Sequence, residues 1–217
     1  MTSPPVGEAA RPVRRRLSST TRRELLIAAA LEEFGRRGFH LTQMEHVAAG
    51  ANVSKGLLYQ HFASKEDLFA EVCLAITDDF AARFAAAVTE ADSSLDRVRA
   101  AVAVILDYVT ERPAAWSVVL RHLDKPEVGM ELGAVRERLG SSIAEVMLGR
   151  VDSDARTRVA AERTVTLLVP MITGALFGLV SWWLEHPQTP RARIEAMAVD
   201  FIWLGLERLR DGERLRS

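Results

Sequence analysis

A run of uncharged residues in the second half of the chain constrains the fold more than any other feature. Residues 165–184, VTLLVPMITGALFGLVSWWL, are twenty in number and include no charged side chain. A helix of that length is long enough to cross the hydrocarbon core of a bilayer. A helix that is apolar around its whole circumference must be covered by lipid or by other protein. The segment therefore predicts either a membrane span or the centre of a helical bundle.

The residues that precede this run favour cover by protein. Arg156, Glu162 and Arg163 lie among apolar residues, so the uncharged run is the second half of one amphipathic helix. Pro170 removes one backbone hydrogen bond of that helix and predicts a kink. A second wide apolar stripe follows over residues 190–211 and offers a surface to pack against. The membrane alternative stays open, and partition of the chain with membranes would support it.

Helical spacing of apolar residues continues along most of the chain. No stretch shows the sustained alternation that is typical of a strand, so the sequence predicts an all-α fold of about nine helices. After the fourth helix, the predicted helices cover residues 94–111, 113–123, 130–149, 154–185 and 190–211.

Two long helices are predicted in the first part of the chain. The first begins at a capping box that starts with Thr21, and Gly38 ends it. The fourth begins after a cap at Ser64 and continues through Phe84. The predicted apolar face of the first helix consists of Leu25, Ala28, Ala29, Leu31 and Phe34.

Two short helices are predicted between these long ones. Thr42 and Glu45 have the spacing of a capping box, which predicts that Thr42 begins the second helix. Asn52 tolerates the left-handed conformation of a tight turn, and Ser54 then caps a third helix over residues 55–61. Two short helices joined by a tight turn outline a helix-turn-helix, whose last helix enters the DNA major groove.

The third helix divides into two faces. Leu58 and Phe62 share the face that is predicted to pack against the core. The other face carries Lys55, Gly56, Tyr59 and Gln60. A lysine donates to guanine O6 or N7, and a glycine lets the backbone approach the groove closely. The opposite face therefore predicts contact with bases.

Three further side chains are candidates for phosphate contacts. Tyr59, His61 and Lys65 each carry a donor that suits a phosphate oxygen. Each also has a structural alternative: Tyr59 as a half-buried packing residue, His61 as a surface residue and Lys65 as an exposed first-turn side chain.

Charge is distributed unevenly along the chain. The first 65 residues carry ten Lys or Arg against five Glu, which gives +5, whereas the remainder carries 18 basic against 24 acidic residues, which gives −6. A basic segment on an acidic body suggests that the first segment meets a polyanion, although chance asymmetry of a solvated surface is the alternative. Residues 1–18 predict a disordered basic arm, and Arg14 to Arg16 are hypothesised to reach the minor groove.

The sequence offers no pattern typical of catalytic or metal chemistry. Cys73 is the one cysteine and lies in a helical pattern, which predicts a core residue. The five histidines lack metal-ligand spacing, and no nucleophile, base and orienting group form a recognisable set. We therefore expect no enzyme activity, no cofactor and no metal. The N-terminal arginines precede no apolar signal segment, so a cytoplasmic location is expected.

One stretch is similar to a known family. Residues 47–68, VAAGANVSKGLLYQHFASKEDL, resemble the signature of TetR-like (tetracycline-repressor-like) transcriptional regulators. The resemblance lies in the order of Val-Ser-x-Gly, Leu-Tyr, His-Phe and Ser-Lys-Glu. Asn52 departs from the family's usual glycine, and Gln60 replaces a frequent aromatic residue. The DNA-contacting residues that these patterns and the resemblance together imply are Thr42, Ser54, Lys55, Gly56, Tyr59, Gln60, His61 and Lys65.

The resemblance also implies an architecture and a mechanism. Residues 1–18 would be the arm, 19–65 a DNA-binding head and 66–217 a ligand-binding and dimerisation body. A homodimer would read a palindromic operator and would usually be a repressor that a small, largely apolar effector releases. The implied effector pocket contains Trp116, Leu120, His122, Met147, Leu168, Met171 and Phe177. The implied dimer interface, formed by the last two helices, contains Gly174, Gly178, Trp182, Phe201 and Leu206.

Overall fold

A computed structural model of the chain describes residues 18–122 and 155–205, with side chains at 18–121 and 168–205. These ranges contain eight helices and no strand, which confirms the all-α fold and comes close to the predicted number of helices. The helices are α1 (Ser19–Leu41), α2 (Met44–Gly50), α3 (Lys55–His61), α4 (Lys65–Thr89), α5 (Ser94–Glu111), α6 (Pro113–His122), α7 (Ala155–Glu185) and α8 (Arg191–Gly205). The helix predicted over residues 130–149 lies outside the described residues.

The first helix begins earlier than its sequence predicts. The Ser18 hydroxyl accepts a hydrogen bond from the Thr21 backbone N–H at 3.1 Å, so Ser18 is the N-cap and the prediction of Thr21 is wrong. Gly38 lies at φ 77°, where glycine has no steric penalty, and interrupts the regular helix at the residue where the sequence predicts its end. The backbone then resumes a last helical turn that ends at Leu41.

The buried stripe of α1 also differs from the predicted one. Leu26, Ala30 and Phe34 are buried, whereas Leu25 is 52% exposed. The apolar run from Leu25 to Leu31 contains no polar residue that fixes the rotation of the helix. Contacts with α2, α4 and α6 therefore select the stripe, which local spacing does not.

The second helix is capped by a residue next to the predicted one. Gln43 is the N-cap of α2, and its backbone N–H donates to His46 Nδ1 at 3.2 Å. Thr42 is 1% exposed, and its hydroxyl donates to the Gly38 carbonyl at 2.8 Å. The capping prediction for Thr42 is wrong because its side chain ties the end of α1 to the chain that enters α2.

Buried side chains form two clusters. The first joins α1, α2 and α3 to α4 and α6. Within this cluster the rings of Phe34 and Phe69 meet edge to face, with their centroids 5.0 Å apart. Cys73 is buried in this cluster, as predicted. The second cluster joins α5 and α6 to α7 and α8 through Ile172, Trp183 and Ile194. The head is therefore packed on the body through a shared core.

Helices α1 and α6 approach each other closely at Gly35. Gly35 is buried, and a Cβ atom at this position would lie 2.8 Å from both the Cα and the carbonyl oxygen of Ala114. Such a distance is inside van der Waals contact, so the absence of a side chain lets α6 lie directly against α1. A displacement of α6 toward α1 would therefore also displace α1.

Candidate nucleic-acid interface and effector cavity

The structure confirms the two predicted faces of α3. Leu58 and Phe62 are buried at 0% and 1% exposure. The exposed side chains and backbone of the helix belong to Lys55, Gly56, Tyr59 and Gln60. A polar, exposed face on a short helix that is anchored by two buried apolar residues has the form of a DNA-recognition helix.

The turn and cap that position α3 are also those that the sequence predicts. Asn52 lies at φ 53°, in the left-handed region. The Ser54 hydroxyl accepts from the Leu57 backbone N–H at 3.2 Å, which satisfies one of the helix's unpaired donors. The hydroxyl proton of Ser54 is still available to an acceptor outside the chain.

Gly56 lies on open surface. A Cβ atom there would meet only the Ser54 hydroxyl oxygen, at 4.0 Å, and the backbone has ordinary helical geometry. The fold itself therefore does not require glycine at this position. A requirement would have to come from something that approaches the surface of α3.

The lysine that was predicted to face bases is paired within the chain. Lys55 Nζ donates to Glu45 Oε1, and both side chains are about half exposed. The hydrogen bond from Lys55 lowers the pKa of the Glu45 carboxyl, and the same bond raises the pKa of Lys55. The ammonium also lies 5.6 Å from the centre of the Tyr59 ring. Glu45 and Tyr59 thus hold Lys55 in place over the exposed face.

Lys65 has a contact that the sequence did not predict. Its ammonium donates to the carbonyl oxygens of Phe39, at 3.0 Å, and Thr42, at 3.2 Å. It also lies 4.5 Å from the centre of the Phe39 ring, a cation–π distance. Lys65 therefore ties the start of α4 to the junction of α1 and α2, and one of its three protons is left for a phosphate.

The two remaining predicted DNA contacts differ in accessibility. His61 is half-buried at the end of α3, with its ring centroid 6.4 Å from that of Phe62. The buried hydroxyl of Thr42 is directed at backbone carbonyls, so the side chain is not available to DNA. Among the eight predicted contacts, Thr42 is the one that the structure removes from the surface.

Arg23 fixes the position of the head relative to α4. Its Nη1 donates to Glu71 Oε2 at 2.8 Å, and its guanidinium lies 5.0 Å from the centre of the Phe62 ring. The hydrogen bond from Arg23 lowers the pKa of Glu71. One side chain of α1 thus connects the end of α3 with α4, which sequence spacing alone does not indicate.

A cavity lies between the helices of the body. It has a volume of about 50 Å³ and an entirely apolar accessible lining. Its walls come from α4, α5, α6 and α7. The lining residues are Ile76, Thr77, Phe80, Phe84, Ile105, Tyr108, Trp116, Val119, Thr173, Leu176 and Phe177.

The predicted pocket residues are only partly in this wall. Trp116 and Phe177 line the cavity, and their rings stack with centroids 4.9 Å apart. Leu120 and Leu168 pack against the second core cluster and are not among the lining residues. Met171 is 68% exposed, so its assignment to the pocket is wrong. The His122 side chain and Met147 lie outside the described part of the chain.

Sequence reasoning missed the contribution of α4 and α5 to the cavity. Ile76, Phe80 and Phe84 follow one another at four-residue spacing, a pattern that looks the same for a core stripe and for a cavity wall. Tyr108 is buried in the wall, and burial raises its pKa to about 12. Tyr108, a polar-tipped residue within an otherwise apolar stripe of α5, is the one feature of the sequence that could have indicated this wall.

The hydroxyl groups of the cavity wall are hydrogen-bonded to backbone carbonyls. Thr77 donates to Cys73 at 2.8 Å, and Tyr108 donates to Ile76 at 3.3 Å. Thr173 donates to the Val169 carbonyl. In contrast, the buried Trp116 Nε1–H has no hydrogen-bond partner among the described residues.

The last two helices expose apolar residues on the side away from the second core cluster, and we call this surface the outer face. On α7 it contains Met171, Gly174, Gly178 and Trp182. On α8 it contains Met197, Phe201 and Leu204, of which Phe201 is 61% exposed. Four of the five residues predicted for the dimer interface are on this face, and the fifth, Leu206, lies beyond the described residues.

The outer face includes the segment that raised the question of a membrane. Within the described residues, Leu168–Glu185 is long and apolar enough to cross a bilayer, and 22% of it is buried inside the chain. The buried part consists of Ile172, Leu176, Val180 and Trp183, which pack in the second core cluster. One side of α7 is therefore covered by the chain's own helices, and the other side is uncovered in the monomer.

A short exposed helix on a helix-turn-helix, followed by a helical body with an internal cavity, defines a class of protein, the DNA-binding transcriptional regulators. The family model for bacterial regulatory proteins of the tetR family matches residues 26–72, and that for the tetracyclin repressor-like C-terminal domain matches residues 95–205. The chain belongs to the TetR family.

Individual relatives agree with this assignment. The transcriptional activator FasR of Mycolicibacterium smegmatis is 28% identical over 193 residues, which cover 88% of this chain and 85% of FasR. The "Probable acrEF/envCD operon repressor" of Escherichia coli K12 is 27% identical over 172 residues, 76% of each chain. A crystal structure of a TetR-like regulator from Rhodococcus sp. RHA1 superposes with a TM-score of 0.70 and 25% identity, covering 88% of this chain and 99% of that one.

Proposed function

We propose that this regulator binds a palindromic operator as a homodimer, with α3 of each protomer in the major groove. The exposed polar face of α3 is the observation that carries the proposal. One seven-residue helix spans few base pairs, so a specific site needs two of them. Dimer symmetry then requires a palindrome whose half-sites lie about one helical turn apart.

The proposed contacts follow from the donors on and beside α3. Lys55 and Gly56 face bases, with Gln60 beside them. Ser54, Tyr59 and His61 face phosphates, and the third proton of Lys65 is available to one. In the free chain the ion pair with Glu45 keeps Lys55 ordered. When DNA binds, Lys55 leaves Glu45 and donates to a base or phosphate acceptor instead.

The outer face supports the proposed homodimer. Large exposed apolar side chains cover one side of two neighbouring helices, and patches of this kind on soluble proteins mark interaction sites. Apart from the adjacent residues and the backbone of α7 itself, nothing lies within 4 Å of a Cβ position at Gly174 or Gly178, so another helix can approach them closely. A second copy of α7 and α8 supplies the matching apolar surface.

The proposed division of labour assigns the arm to residues 1–18, the head to 19–65 and the body to 66–217. The body controls the head through the cavity, because α4 and α6 line the cavity and both pack on α1. An effector that fits one arrangement of these helices better than the other shifts the population of DNA-binding dimers. We propose that the effector is small and largely apolar, and that its binding releases the operator.

Repression is the proposed direction of control, as in the operon repressor named above. Transcription in vitro from a promoter that contains the operator should fall when the protein is added and recover with effector. A rise in transcription on addition of protein would instead show that the protein is an activator, as FasR is named.

The proposed location is the cytoplasm, where the operator is. Cell fractionation tests it against the membrane alternative: the chain should remain in the supernatant after high-speed centrifugation. Sedimentation with membranes that persists at high salt would mean that lipid, and not a second copy, covers the outer face.

Selection of duplexes from a random library by the purified protein tests the proposed function. At one fixed salt concentration we expect recovery of an imperfect palindrome with half-sites about one turn apart. The Lys55→Ala variant should recover the same spacing with relaxed preference at the contacted base pair. Recovery of unrelated sequences, with affinity that depends only on salt, would contradict specific recognition by α3.

A further inference from the structure

We propose that the effector cavity selects uncharged, largely apolar molecules that carry a hydrogen-bond acceptor, and that the Trp116 indole N–H donates to that acceptor. The inference rests on the proposed function of the cavity as the effector site and specifies the chemistry of its ligand. It follows from the charge of the wall, from the hydrogen bonds of the wall and from one unpaired donor.

The described wall offers nothing that would balance a charge. None of its eleven described residues is Lys, Arg, His, Asp or Glu. Tyr108 is the one ionisable group among them, and burial keeps it protonated well above neutral pH. An ion transferred into such surroundings loses its hydration without gaining a partner, so the cavity disfavours carboxylates and amines.

The wall hydroxyls have their protons engaged. Thr77, Tyr108 and Thr173 each donate to a carbonyl oxygen of the preceding turn or of a neighbouring helix. A ligand acceptor would have to compete with these carbonyls for the hydroxyl protons and would gain little net stabilisation by displacing one. These residues therefore contribute shape to the site and leave the role of donor to another group.

Trp116 supplies that donor. It is 7% exposed, stacks on Phe177 with the ring planes 10° apart, and lines the cavity. Its Nε1–H has no partner among the described residues. The accessible lining of the cavity is entirely apolar, so this N–H meets a ligand only when the wall opens around it. Buried indole N–H groups ordinarily find an acceptor, and the unpaired N–H is therefore left for a ligand that opens the wall.

The size of the cavity sets a further condition on the ligand. Its volume of about 50 Å³ is several times the space that a single water needs, and it is smaller than the ~150 Å³ cavity known to hold benzene. A ligand with one ring therefore has to spread the helices of the wall. Binding and helix displacement are coupled in this site, as release of an operator requires.

Three probes of one shape test the proposal on the full chain without DNA. Acetophenone has a carbonyl acceptor, α-methylstyrene replaces that oxygen by a methylene group, and benzoate carries a charge on the same ring. Their dissociation constants are measured by NMR titration for the wild type and for Trp116→Phe, which keeps an aromatic ring and removes the N–H.

We expect the ratio of the acetophenone and α-methylstyrene affinities to fall about fivefold in Trp116→Phe, the usual worth of one neutral hydrogen bond. The α-methylstyrene affinity itself should be kept, which shows that the variant is folded and its cavity intact. Benzoate should bind neither protein. Comparing two ligands in two proteins cancels their different hydration and leaves the interaction of the carbonyl with the N–H.

Phe177→Leu is the matched control, because it removes the stacked ring and keeps the N–H. It should weaken acetophenone and α-methylstyrene equally. An unchanged affinity ratio in Trp116→Phe would overturn the proposal. So would tighter binding of benzoate than of acetophenone, or failure of both uncharged probes to bind the wild type at millimolar concentration.

Operator release is measured separately with the same probes. If acetophenone binds through Trp116 and the operator stays bound, the ligand chemistry stands and the proposed release mechanism fails. If a charged compound displaces the operator while acetophenone does not bind, release stands and the ligand chemistry fails.

Discussion

At the scale of single residues, Gly56 separates folding from DNA binding. A methyl group there meets only open space in the free chain, so Gly56→Ala should raise the free energy of unfolding by up to about 1 kcal/mol. If DNA lies against Gly56, the same methyl should lower affinity for the selected operator about tenfold. Urea denaturation and a binding titration at fixed salt measure the two effects.

Gly50→Ala is the control for this prediction. Gly50 lies at the end of α2, where a Cβ atom would lie 4.0 Å from side-chain atoms of Ala29 and Glu33 of α1. The substitution brings the same helix propensity and should leave operator affinity unchanged. Equal operator affinities for Gly56→Ala and the wild type would remove Gly56 from the interface.

Single residues also show where sequence reasoning succeeds and where it fails. Ser54 and Ser64 cap the helices that the sequence predicts, because each hydroxyl meets a backbone N–H three residues ahead and needs no distant partner. Thr42 has the same local spacing, yet its buried hydroxyl donates to the Gly38 carbonyl and does not cap α2. Lys65 likewise bonds to carbonyls that lie 26 and 23 residues away. Local patterns find local partners and cannot reveal such long-range ones.

At the scale of helices, the Arg23–Glu71 pair connects α1 and α4 and makes part of the stability depend on pH. The pKa of Glu71 is lowered in the folded chain from its ordinary value of 4.5, because Arg23 donates to it. Its stabilising contribution is therefore present above about pH 4.5 and is lost as pH falls through the lowered folded value. Since both side chains are partly exposed, the loss should be at most about 1 kcal/mol.

Glu71→Gln tests this prediction. The variant should be less stable than the wild type at pH 7, and the difference should shrink as pH falls below 4.5, which is the ordinary value for Glu71. Urea denaturation at a series of pH values measures it. Glu71→Gln in an Arg23→Gln background is the control, because the partner is gone, and there the dependence on pH should disappear. A difference between Glu71→Gln and the wild type that stays constant over pH would mean that the pair does not contribute.

The helices themselves are predicted well from the sequence, and their arrangement is predicted less well. The bounds of α5, Ser94–Glu111, agree with prediction because Ser93, Arg112 and Pro113 mark both ends in the sequence. The cavity wall was assigned partly to the wrong residues, because helical spacing identifies the apolar stripe of a helix but does not show which other helices pack against it. Met171 shows this, since α7 turns Ile172, Leu176 and Val180 into the second core cluster and leaves Met171 exposed.

At the scale of the whole molecule, the outer face should hold the dimer together. Phe201→Glu places a charge on this face, where burial against a second copy would be costly. We expect the variant to sediment as a folded monomer at micromolar concentration and to lose affinity for the palindrome. Leu74→Glu, which alters an exposed leucine of α4 away from the outer face, should stay dimeric. A dimeric Phe201→Glu variant would place the interface elsewhere.

The spacing of the operator tests the central claim of a dimeric DNA reader most directly. Binding is measured for the selected palindrome and for versions with about five or about ten base pairs inserted between the half-sites, a half and a full turn of DNA. The dimer predicts that the half-turn insertion abolishes specific binding, because it places the second half-site on the opposite side of the duplex. It also predicts the highest affinity at the selected spacing, with two protomers bound per site. Equal affinity at all three spacings, with one protomer per half-site, would contradict it.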